Sequence, residues 1–151
     1  MKVSTRGRYG IRAVLELALR QNEMPVSLKD IASSQKISLQ YLEHLITPLI
    51  NGGIIKSSRG AKGGISLTRH PSEIKLIDII RLLEGPVSPV ECVQSPECCV
   101  RSGYCAVRDI WLDIKKAVDN VLESTTVQDL IEKHKSRQKL KDMDCHSSFD
   151  L

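Results

Sequence analysis

Residues 27–68 constrain the fold more than any other part of this 151-residue chain. Ser27 precedes Leu28, Ile31 and Ala32, an N-cap followed by three apolar residues on one helical face, and Asp30 takes the place of a capping-box acid. This pattern predicts a short helix ending near residues 34–36. Ile37 falls in the connection and Ser38 is a second N-cap. Leu39, Leu42, Leu45, Ile46, Leu49 and Ile50 then keep the helical period up to Asn51-Gly52-Gly53. The glycines stop the helix because they enter the left-handed region without steric cost. Beyond them, Ile54-Ile55-Lys56-Ser57 and Ile65-Ser66-Leu67-Thr68 are β-prone runs flanking Arg59-Gly60-Ala61-Lys62-Gly63-Gly64, a flexible basic turn. Two short helices followed by a hairpin with a basic, glycine-rich tip form a winged helix-turn-helix. Its second helix enters the major groove and its wing approaches a phosphate or a narrow groove.

The flanking segments extend this unit. Ile11, Val14, Leu15, Ala18 and Leu19 recur at spacings of three and four, predicting a helix over 5–20 that ends at Met24-Pro25-Val26. Ile74, Ile77, Ile80 and Leu83 mark a helix over 75–84, stopped by Gly85-Pro86. Residues 87–104 read as a loop. A long helix follows over 106–122 with Ile110, Trp111, Ile114, Ala117, Val118, Val121 and Leu122 as its stripe. That stripe is longer than a small domain needs and suits dimerisation. The expected organisation is a DNA-binding domain over 1–85, a cysteine loop over 86–105, a dimerisation helix with a short terminal helix over 106–131, and a flexible tail over 132–151. The fold class is mainly α with a small β-wing.

Composition agrees. Aromatic residues make up 3% of the chain and the apolar set is dominated by Leu and Ile, so the core is aliphatic and a large β-sandwich is disfavoured. The start, MKVSTRGRYG, shows neither a signal peptide nor a membrane span, and a cytoplasmic protein is expected. The net charge of +4 is unevenly distributed. Residues 1–75 hold 12 Lys and Arg against 5 Asp and Glu, a net of +7, whereas residues 76–151 hold 10 against 13, a net of −3. A basic front joined to an acidic rear suggests a polyanion-binding face coupled to a regulatory or assembly face.

On the second helix of the helix-turn-helix, Gln40, Tyr41, Glu43 and His44 point away from the apolar stripe. Gln pairs with adenine and Glu accepts from the cytosine amino group, so Gln40 and Glu43 are candidates for direct base readout, with His44 adding a base or phosphate contact. Ser4, Thr5, Ser27, Ser38, Tyr41 and the wing residues Arg59, Lys62, Gly63 and Gly64 suit phosphate positioning, which sets register without specifying sequence.

Four of the five cysteines, Cys92, Cys98, Cys99 and Cys105, fall within one loop, and Cys145 stands apart. In a reducing cytoplasm such clustering points to metal binding rather than disulfides. Thiolates with few carboxylates nearby favour zinc or an iron–sulfur cluster, and the absence of a CxxC pair weakens the zinc reading. Catalysis is not expected: no cysteine has an adjacent histidine base within a folded element, Cys145-His146 lies in the tail, and there is no phosphate-binding loop.

Through residue 131 the chain resembles the bacterial winged-helix regulators of the IscR, NsrR and CymR type. The resemblance rests on Ser4-Thr5-Arg6-Gly7-Arg8-Tyr9-Gly10, Ile37-Ser38-Leu39-Gln40-Tyr41-Leu42-Glu43, the wing turn Arg59-Gly60-Ala61-Lys62-Gly63-Gly64, and Leu83-Glu84-Gly85-Pro86-Val87-Ser88-Pro89-Val90. The last segment is most similar to the CymR branch, whereas the cysteine loop is similar to the cluster-binding branches. The resemblance implies a homodimer on double-stranded promoter DNA, with a metabolic enzyme as a candidate further partner. It also implies a 2Fe-2S or 4Fe-4S cluster on Cys92, Cys99 and Cys105, with Cys98 competing for the middle position or serving as fourth ligand. The histidine that the IscR pattern places three residues after the third cysteine is Arg108 here, and the N-terminal aspartate of the NsrR pattern is Arg8. Asp109, Cys98, a partner-subunit residue, a small thiol or an open site remain for the fourth position. The alternatives are a cluster-free thiol- or partner-controlled repressor of cysteine metabolism and a zinc-stabilised dimeric scaffold.

Overall fold

The computed structural model describes residues 3–23 and 25–147, with side-chain exposure described through residue 142. Met24, residues 148–151 and the side chains of Cys145 and His146 lie outside the described residues.

Seven α-helices and a two-stranded antiparallel hairpin are described. Helix α1 (Thr5–Leu19) is capped by Ser4, whose hydroxyl accepts from the Gly7 amide. Its inward face is Gly7, Gly10, Ala13, Val14, Leu17 and Ala18, rotated from the stripe read in sequence; Ile11, Leu15 and Leu19 are only partly buried. The rotation follows from size. A Cβ at Gly10 would land on the Leu83 side chain and one at Gly7 on the Glu84 side chain, so the two glycines let α4 (Leu76–Glu84) lie close against α1.

Helices α2 (Leu28–Gln35) and α3 (Leu39–Asn51) form the helix-turn-helix. Ser27 and Ser38 cap them as read, although Ser27 accepts from the Lys29 amide rather than forming a reciprocal box with Asp30. Lys36, at φ 54°, takes the left-handed conformation that ends α2. Leu42, Leu45, Ile46 and Leu49 are buried on α3. Gly52 is the C-cap of α3 at φ −82°, and Gly53, at φ 72°, makes the left-handed stop. The wing pairs β1 (Ile55–Ser58) with β2 (Gly64–Leu67), Ile55 opposite Leu67 and Ser58 opposite Gly64. Val26 exchanges both backbone hydrogen bonds with Ile65, at 2.9 and 2.8 Å, which ties the hairpin to the strand-like entry into α2.

The loop over 87–104 contains a short α5 (Glu91–Gln94) and a 3-10 turn over Pro96–Cys98. Helix α6 (Ala106–Ser124) buries none of its residues within the chain. Val107, Ile110 and Val121 are 59%, 58% and 63% exposed, so one flank of its apolar stripe is unpartnered. Helix α7 (Val127–Ser147) is longer than the short terminal helix expected: it continues through residues 132–147. Its first turn is fixed by a capping box in which Thr126 N–H donates to Asp129 Oδ2 at 2.7 Å and Asp129 N–H donates to Thr126 Oγ1 at 3.2 Å. Val127 and Ile131 anchor that turn in the core. The continuation is rich in Lys, Arg and Gln, which favour helix without needing an apolar face. Among the described residues no helix is long and apolar enough to cross a membrane.

Candidate nucleic-acid interface and cysteine loop

On α3, Gln40, Glu43 and His44 are exposed and Tyr41 is half-buried, so the predicted readout residues share the outer face of the second helix. No acidic residue lies in the first turn of α3, so no fixed negative charge there opposes an anion. Pro48 lies inside α3 and supplies no amide proton to the carbonyl one turn before it. Thr47 Oγ1 donates to the Glu43 carbonyl at 2.8 Å.

The phosphate-positioning candidates divide by role. Arg59 and Lys62 are exposed on the wing turn. Gly63 and Gly64 are half-buried and shape the hairpin: a Cβ at Gly63 would strike the Ser58 carbonyl oxygen, and one at Gly64 the Val26 backbone. Ser27 and Ser38 spend their hydroxyl acceptors as helix caps, at 3.2 and 3.1 Å. Thr5 Oγ1 accepts from Arg8 Nη2 at 3.2 Å. Ser4 is committed furthest within the chain, donating its hydroxyl to Glu84 Oε1 at 2.8 Å while capping α1. Sequence reasoning did not single out Tyr9 and Arg12 as interface residues. Tyr9 meets Tyr41 edge-to-face with ring centroids 6.2 Å apart, and the Arg12 guanidinium lies 5.0 Å above the Tyr9 ring. The signal was the run of arginines at 6, 8 and 12 beside a lone aromatic.

Cys92 lies on α5, Cys98 ends the 3-10 turn, Cys99 follows it, and Cys105 is the N-cap of α6. Cys92, Cys99 and Cys105 are half-buried and Cys98 is exposed. Partial desolvation, then the nearby charges of Glu91, Cys92, Cys99 and Glu97, raises the Cys98 thiol above its ordinary range. Arg108, in the place of the family's histidine, donates Nε to the Cys92 carbonyl at 2.9 Å and so holds α5 against the first turn of α6. Ser102 Oγ donates to the Cys99 carbonyl at 2.7 Å. Four thiols within one loop match a soft metal or iron–sulfur centre in chemistry. Among the described residues of a single chain, no three His, Cys, Asp or Glu side chains gather as a metal-binding group.

A helix-turn-helix braced by α1, a basic wing, and a separate cysteine loop leading into an unpartnered helix define a winged-helix transcriptional regulator. The sequence profile of the Rrf2 family, described as an iron-dependent transcriptional regulator, matches residues 3–133, and the chain belongs to that family. It is 48% identical over 130 residues to the HTH-type transcriptional regulator CymR of Bacillus subtilis, covering 86% of this chain and 89% of that one. The solved structure of CymR, described as the global cysteine regulator of B. subtilis, is 46% identical and superposes with a TM-score of 0.77 over 88% of this chain and 98% of that chain. The structure of T. potens IscR is 40% identical, with a TM-score of 0.76 and 91% of each chain covered. These relatives bear out the predicted fold class and family resemblance, and their names are those of regulators rather than enzymes.

Proposed function

We propose that the protein is a homodimeric regulator that binds promoter DNA through α3 and the wing, and that an iron–sulfur cluster on Cys92, Cys99 and Cys105 sets its DNA affinity. The observation that carries the reading is the placement of four thiols at the base of α6, a helix whose apolar flank is open to a second copy. The family's iron-dependent description supports it. When bound, the cluster supplies a redox-sensitive charged centre at the loop. Cys98 is the reserve ligand, and the place of the family's histidine is taken by Arg108, whose guanidinium is engaged with the Cys92 carbonyl.

The chain's own contacts connect that loop to the DNA face. Arg108 joins α5 to α6. Arg81 on α4 pairs with Glu123 on α6 at 3.4 Å. Glu84 at the end of α4 accepts from Ser4 at the start of α1, and Tyr9 on α1 meets Tyr41 on α3. A change in the loop that shifts α6 therefore bears on the recognition helix through packed elements rather than through a flexible linker.

The similarity to CymR favours a second reading, direct thiol control without a cluster. Iron and sulfide analysis of protein purified without oxygen separates the two. The cluster reading expects bound iron and sulfide that are lost in Cys92→Ser, Cys99→Ser and Cys105→Ser. A colourless, iron-free protein after reconstitution overturns it in favour of thiol control, and tightly held zinc without DNA binding assigns the scaffold role.

A further inference from the structure

We infer that residues 133–141 of α7 are a second DNA-contacting element, a basic helical stretch laid on the duplex beside the segment read by α3. This rests on the DNA-binding reading above. Residues 133–141 carry five cations, Lys133, Lys135, Arg137, Lys139 and Lys141, and no carboxylate. All five are exposed, and none is ion-paired among the described residues. The 10 Lys and Arg of residues 76–151 thus place half their number in this one stretch, while the 13 acids lie outside it. The acidic rear thus holds one positively charged stretch, bounded by Glu132 and Asp142.

Helix propensity forms that stretch, but no contact within the described chain offsets its like charges. Beyond Ile131 the helix buries no described residue, so packing does not hold it. Lys133, Arg137 and Lys141 repeat at intervals of four on one flank, and like charges at that spacing cost an isolated helix about 0.2–0.5 kcal/mol per pair. A polyanion alongside removes this repulsion. The stretch lies almost wholly beyond residue 133, where the family match ends.

Its starting point identifies the polyanion. Ile131 and Lys135 share a surface cavity with Ala18 and Leu19 of α1, and His134 shares another with Arg12, Leu15 and Glu16. Helix α7 is therefore still beside α1 at residues 134–135. Arg12 covers the Tyr9 ring that meets Tyr41 of α3, so the cationic stretch starts next to the brace of the second helix of the helix-turn-helix. A cationic helix leaving from that position fits the phosphate backbone next to the operator.

Binding to a mixed-sequence duplex across a salt series tests this, because phosphate contacts dominate such binding and no operator is needed. The full chain is compared with K133Q/K135Q/R137Q/K139Q/K141Q and with the milder R137Q/K141Q. Glutamine keeps helix propensity, and circular dichroism with Tm verifies folding. We expect the log K against log salt slope to become shallower by about 0.9 for each phosphate no longer neutralised, and affinity to fall by about tenfold or more in the five-fold variant. Unchanged slopes in both variants, with DNA still bound, overturn the inference and leave the regulator reading intact. No DNA binding by the unaltered chain overturns that reading itself. Loss of binding to phosphatidylglycerol vesicles with an unchanged DNA slope assigns the helix to membrane and overturns the inference.

Discussion

Tyr41, on the first turn of the recognition helix, stands edge-on to Tyr9 of the first helix at 6.2 Å, and Arg12 covers the Tyr9 ring from one turn further along. This contact fixes how α3 is presented to a groove. Aromatic pairs contribute about 0.5–1.5 kcal/mol beyond their buried area. Tyr9→Ala should lower Tm modestly yet weaken binding to a selected duplex by about tenfold, since misplacing α3 affects every base contact together. Fluorescence anisotropy and calorimetry on the same preparations check this; affinity unchanged alongside a lowered Tm would contradict the positioning role.

Close approach of α1 to α4 at Gly10 makes a second prediction. The only way to admit a Cβ there is to move Leu83, which is 3% exposed in the core. Gly10→Ala should destabilise the domain by about 1–3 kcal/mol despite alanine's better helix propensity. Urea denaturation measures it, and stabilisation would show that the helices are not held together at this point.

Glu43 is exposed on α3, and we propose it as the acceptor for a cytosine amino group. Glu43→Ala should relax preference at one base position by about 1–3 kcal/mol while leaving stability within about 0.5 kcal/mol. Selection from a random duplex pool, performed with both proteins, reads the difference as loss of one specified position in each half-site.

A pH dependence follows from the box that starts α7. Hydrogen bonds from the Thr126 backbone and then its hydroxyl, together with the charge of Lys133, hold the Asp129 carboxyl below its ordinary value against a smaller opposing desolvation. A carboxylate depressed in the folded state adds stability that is fully present above its unfolded pKa of about 3.9 and is lost as pH falls through the folded value. The Tm difference between the native chain and Asp129→Ala should therefore be full at neutral pH and narrow below about pH 4. A gap that stays constant across the acid range would remove the ionised carboxylate from the account.

The winged helix-turn-helix was legible because its signals are local. Ser27, Ser38 and Gly53 cap or stop helices through their own backbone neighbours, and the glycines of the wing turn announce the hairpin. What escaped the sequence depends on partners far along the chain. The buried face of α1 is set by Leu83 and Glu84 across α4, and a periodicity count over apolar residues cannot weigh two glycines as contact points. The length of α7 escaped for the opposite reason: its far half has no apolar period, and helix propensity with a strong capping box extends it instead. The cysteine loop was visible as composition, but the tie from Arg108 to the Cys92 carbonyl, sixteen residues apart, required the fold.

The central claim is that the loop bearing Cys92, Cys99 and Cys105 governs the hold of α3 and the wing on DNA. Its most direct test is an anaerobic titration of one selected promoter duplex with the iron-loaded protein and with the same preparation after gentle removal of iron. The account predicts dissociation constants that differ by about tenfold or more, equivalent to about 1.4 kcal/mol of coupling, and a difference abolished by Cys99→Ser. Equal affinities for the two forms, with iron bound in the first, would contradict it.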